Sequence, residues 1–195
     1  IADFFQISVD ELLSNEKSEK KQSDYIYESR TEYDIDGKKN FDIKLGGAYA
    51  VDLKAYHGEK IEVAMFSNVY KNLLADYKVK IDDIKNRIDI DLNRFNEASE
   101  ADAKESLVIT IFIPVKYIGK IELSVNAGTL NITDIENEHI EVNGKISEVT
   151  LQGNKSEIEI DSNLDMQISV LSHEGALEIN QLSATSRLTI PADYR

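Results

Sequence analysis

The feature that most constrains this chain is a repeat. Between Leu107 and Ile190, four short segments place a glutamate between two aliphatic residues: Ile121-Glu122-Leu123, Ile140-Glu141-Val142, Ile158-Glu159-Ile160 and Leu177-Glu178-Ile179. About half a period later each is followed by a small polar residue between aliphatics: Leu130-Asn131-Ile132, Val149-Thr150-Leu151, Ile168-Ser169-Val170 and Leu188-Thr189-Ile190. A unit of about 20 residues is too short to bury its own apolar face, so stacked neighbours must bury one another, which is the sequence mark of a solenoid.

Side chains alternate across a strand, so residues i and i+2 share a face. With the aliphatics inward, Glu122, Glu141, Glu159 and Glu178 form one outward ladder. Asn131, Thr150, Ser169 and Thr189 form a second, each step about 4.8 Å. Four buried aliphatics per coil contribute about 6–12 kcal/mol before conformational entropy is subtracted, so a lone coil is not stable. Gly128, Gly144, Gly153 and Gly175 fall where corners are needed. The expected fold is all-β: a β-solenoid (β-helix-like) of short strands with a period of about 19–20 residues, plus a short N-terminal helical segment.

Composition narrows the function classes. The chain of 195 residues carries a net charge of −14, and residues 121–190 hold twelve acids against Lys145, Lys155 and Arg187. A surface this acidic repels nucleic acid and anionic membrane. The absence of cysteine excludes disulfides and thiolate metal sites. No apolar run approaches the roughly 20 residues that span a bilayer, so no membrane insertion is expected within this chain.

At the start, Ile1, Phe4 and Phe5 lie at helical spacing, and Ser8 with Glu11 makes a capping box before Leu12-Leu13. This segment resembles the last two helices of the lambda-repressor-like (Xre/Cro-type) helix-turn-helix domain. The resemblance implies contact with DNA only through an upstream domain absent from this chain. Residues 1–14 are then the C-terminal helices of that truncated domain, 15–32 a polar linker, and 33–195 the β domain. Within the last, 33–106 are irregular opening rungs and 107–190 regular coils. Tyr70–Tyr77 reads as a short helical insertion and Asn96–Ser106 as an acidic loop or helical turn. Leu107–Pro114 is apolar enough for burial on both faces.

Phe41-Asp42-Ile43-Lys44-Leu45, Val51-Asp52-Leu53 and Ile61-Glu62-Val63 lead to the strand ending Phe112-Ile113-Pro114 and then to the glycine-marked coils. That order, over about residues 41–191, resembles the bacterial putative-adhesin-type β-solenoid domains of unknown function. Such domains are found behind membrane or signal segments or fused behind helix-turn-helix domains. The family's Ser-Gly-Asp-type corner is replaced here, as in Asn143-Gly144-Lys145.

The glutamate ladder is a candidate site for a divalent cation or a basic peptide, and otherwise a solvated negative face that discourages edge pairing. The Asn131, Thr150, Ser169, Thr189 ladder is a candidate hydroxyl/amide recognition surface. His57, His139 and His173 lack metal-ligand spacing and read as surface or corner residues. No nucleophile elbow, phosphate loop or dinucleotide fingerprint is present. No catalytic, cofactor-binding or metal residue is therefore expected, nor any cofactor or enzymatic activity.

The main expectation is a cytoplasmic sensing or oligomerisation domain at the C-terminus of a helix-turn-helix transcriptional regulator. It would form a homo-oligomer or bind a protein partner. The alternative is an adhesin-like binding module at the cell surface or envelope.

Overall fold

The computed structural model describes residues 25–96, 98–192 and 194. The expected helices of 1–14 and most of the linker 15–32 lie outside the described residues. The last part of that linker, from Tyr27, is already strand.

Three long strands form the middle of the fold: β2 (Lys39–Tyr56), β7 (Ile118–Thr133) and β8 (Glu136–Gln152). They pair in parallel, β2 with β7 and β7 with β8. Their inward positions are aliphatic: Ile43, Leu123 and Val142 on one half, and Leu53, Ile132 and Leu151 on the other, are fully buried. Burying each such side chain contributes about 1.5–3 kcal/mol, so the parallel register and the core reinforce each other.

At each end of this middle the sheet forks. On one side the first half of β2 pairs in parallel with β5 (Arg87–Arg94), which pairs antiparallel with β4 (Tyr77–Ile84). The second half of β2 pairs with β6 (Val108–Pro114). From there antiparallel pairing continues to β3 (Lys60–Ser67) and β1 (Tyr27–Asp34). On the other side the first half of β8 pairs with β9 (Asn154–Asp161), which carries β11 (His173–Glu174) and β12 (Leu177–Asn180). The second half pairs with β10 (Met166–Val170) and then β13 (Ser186–Thr189).

The expected all-β class is therefore observed, but the β-solenoid is corrected. The strands make one mixed, open sheet of thirteen strands, and the order along its main path is β1-β3-β6-β2-β7-β8-β10-β13. The reason lies in the first half of the chain, where β1, β3 and β6 and the pair β4 and β5 meet antiparallel. Antiparallel neighbours need only short connections, whereas repeated parallel coils need a crossover in every unit. The period of the sequence survives as the register between β7, β8, β9 and β12 rather than as a closed coil.

The Tyr70–Tyr77 insertion contains the helix α1 (Leu73–Asp76), and the acidic segment contains α2 (Glu100–Ser106), capped where the Ser99 hydroxyl accepts from the Asp102 amide at 3.1 Å. The β6 strand is buried along its length except for half-buried Phe112, as its apolar run implies.

Two glycines show how closely the strands approach. Gly144 and Gly175 have φ of 145° and 130°, and a Cβ at either would overlap a backbone carbonyl oxygen, of Val125 and Ser156 respectively. Replacing Gly144 with alanine forces both a steric clash and an unfavourable backbone conformation. Gly144→Ala is expected to cost about 2 kcal/mol or more in a urea unfolding experiment. Lys145→Ala next to it, at an exposed position, is expected to stay within about 0.5 kcal/mol of the parent.

Candidate functional site

The parallel register decides what each ladder contains. Glu122 lies opposite Glu141, Glu141 opposite Glu159, and Glu159 opposite Glu178. The four glutamates read from the repeat therefore form one row. The row continues into the first half of the chain, since Glu122 faces Asp42, Asp42 faces Asp89, and Asp89 faces Asp82. Seven successive strands thus place a carboxylate in one line, which at the strand spacing is roughly 29 Å long.

The aspartates were not assigned to the row from sequence, although the signal was present. Phe41-Asp42-Ile43 and Ile88-Asp89-Ile90 repeat the aliphatic–acid–aliphatic pattern with the shorter acid. What periodicity does not supply is that β2, about 80 residues upstream, lies beside β7.

The two halves of the row differ electrostatically. Each aspartate is paired with a base two residues away on its own strand. Lys44 Nζ lies 2.7 Å from Asp42, Arg87 makes two bonds to Asp89 at 2.6 and 3.0 Å, and Lys80 bonds Asp82. These contacts raise the pKa of all three bases, with the side-chain hydrogen bond as the largest cause.

Among the described residues none of the four glutamates forms an ion pair with a lysine or arginine: Lys120, two residues before Glu122 on β7, pairs instead with Glu138 at 3.2 Å. Asn143 Nδ2 donates to Glu141 at 2.7 Å and Asn180 Nδ2 to Glu159 at 2.8 Å. His139 lies 4.0 Å from Glu159 and 3.8 Å from Glu157. Amides satisfy lone pairs without cancelling charge, so the glutamate half remains the open, negative half. Among the described residues no group of three or more His, Asp or Glu side chains comes together to hold a metal ion.

The second ladder also forms in register: Asn131 faces Thr150, Thr150 faces Ser169, and Ser169 faces Thr189. Upstream, Asp52 of β2 faces both Asn131 and Thr110. Its carboxylate accepts from Asn131 Nδ2 at 2.8 Å and from the Thr110 hydroxyl at 3.3 Å. The Asn131 end of this ladder is therefore occupied with internal hydrogen bonds. The histidines are scattered: His57 is exposed, His139 half-buried beside the glutamates, and His173 buried with its ring stacked on Tyr194.

Crowding of like charge has a measurable consequence at Glu159. Desolvation, then the charges of Glu178, Asp161 and Glu141, push its carboxyl above the ordinary carboxylate range. A raised carboxyl favours the folded protein when protonated, and that contribution is lost as pH rises through the raised value. Glu159→Gln is therefore expected to raise the melting temperature at about pH 7. Its advantage should shrink to nothing as pH falls below the carboxylate range, near 4. Melting curves at the two pH values check this.

Comparison with family models and with curated proteins returned no match. The chain matches solved structures. A putative cell adhesion protein from Clostridium sporogenes superposes with a TM-score of 0.55 at 8% identity, covering 83% of this chain and 98% of that chain. A putative adhesin from Parabacteroides merdae has a TM-score of 0.30 at 11% identity, over 83% of this chain and 94% of its own. One from Bacteroides fragilis has 0.31 at 11%, over 84% and 98%. The Clostridium sporogenes structure shares the fold, and none of these comparisons shows a helix-turn-helix domain.

Proposed function

We propose that this chain is a non-enzymatic, adhesin-like binding module of the cell surface or envelope, and that its glutamate row receives an extended, basic segment of a protein partner. The observation that carries this reading is the in-register row of Glu122, Glu141, Glu159 and Glu178, which among the described residues forms no ion pair with a lysine or arginine, whereas each aspartate does. Carboxylates about 5 Å apart repel one another by roughly 0.8 kcal/mol in water, and more where the surface lowers the effective dielectric. A partner carrying several bases relieves that repulsion at each step, and complementary charge also speeds encounter.

Fold similarity to a structure described as a putative cell adhesion protein supports the adhesion side of the reading. The regulator reading rested on residues 1–14 and on a resemblance that the comparisons do not back. A cytoplasmic location has no support from them either.

The test is binding of a lysine-rich extended peptide, followed by fluorescence anisotropy, to the parent and to a Glu122→Gln, Glu141→Gln, Glu159→Gln variant. The expected result is at least about tenfold weaker binding by the variant. The parent should show a comparable loss when salt rises from about 50 to 500 mM. Equal binding by parent and variant would remove the row from the proposal.

A further inference from the structure

The two ends of the sheet are finished differently. At one end the outer strand β1 exposes Glu28, Arg30, Glu32 and Asp34 at alternate positions, and β4 exposes Lys78 and Lys80. Charges of this kind keep a free edge from accepting another strand. At the other end the arms stop on β12 and β13, and among the described residues no strand pairs with the outer side of either.

Their inward aliphatics are only partly covered. Leu177 and Ile179 are half-buried, and Leu188 and Ile190 are 46% and 49% exposed, whereas Ile158, Ile160, Ile168 and Val170 one strand back are buried. Each edge also presents one charge outward, Glu178 on β12 and Arg187 on β13, both exposed. Among the described residues neither enters an ion pair.

We infer that a second copy of this chain docks on this end by strand addition, β12 of each copy against β13 of the other about a two-fold axis. An antiparallel register with Leu177 opposite Leu188 and Ile179 opposite Ser186 sets Glu178 opposite Arg187, and the two-fold axis makes that pair twice. The alternation matches, because both strands place their aliphatics inward and their charge outward. Pairing of like strands in the centred register would set Glu178 against Glu178 and Arg187 against Arg187, which like-charge repulsion disfavours. The crossed arrangement is self-complementary, as an isologous interface requires. It covers the aliphatics, pairs the free backbone edges and closes the glutamate row with a base. It does not depend on the adhesion reading, because self-association is scored without any basic peptide.

The experiment is sedimentation velocity of the 195-residue chain between about 5 and 200 µM. A monomer–dimer equilibrium within that range is expected. Arg187→Glu and Glu178→Arg should each weaken it at least tenfold, and the two together should restore it to within about threefold of the parent. Circular dichroism and melting temperature verify that each variant is folded. A parent that stays monomeric at the highest concentration overturns the inference. So does a dimer indifferent to either charge reversal, or a double reversal that fails to recover association.

Discussion

The structure depends on the backbone ladder that joins β2, β7 and β8. These strands pair in parallel over most of their length, so the side chain at each step is set directly beside its counterpart on the next strand. That alignment makes columns. Inward columns of Ile, Leu and Val become the core, and outward columns become lines of one chemistry. A slip of one residue would turn every aliphatic outward, so the core and the outward rows are held by the same register.

Lines of one chemistry carry an electrostatic cost, and the molecule meets it in two ways. Where the row consists of aspartates, a lysine or arginine on the same strand neutralises each acid. Where it consists of glutamates, amides of Asn143 and Asn180 provide hydrogen bonds but no charge. Exposed ion pairs contribute little to stability. The contrast therefore matters less for folding than for the surface potential, which is neutralised at one end of the row and negative at the other.

The forks explain why a regular sequence gives an irregular outline. A strand of sixteen to eighteen residues is longer than either neighbour beyond the middle, so its two halves pair with different strands. One fork is filled by antiparallel strands from the first half of the chain. The other ends on two strands of four residues each, and its partly bare aliphatics mark it as the end that gains most from a further strand.

The sequence by itself determined the all-β class, the strand phase from Ile121 to Ile190 and the membership of Glu122, Glu141, Glu159 and Glu178 in one row. These are local properties: alternation sets the face, and a nearly constant offset sets the neighbour. Only the tertiary structure decided that β2 lies against β7, that Asp42, Asp89 and Asp82 extend the row, and that Asp52 stands between Thr110 and Asn131. It also decided that the sheet is open, mixed and forked rather than a solenoid. The physical reason is that pairing between strands some 80 residues apart depends on which edges the intervening antiparallel strands leave free, and no local period records that.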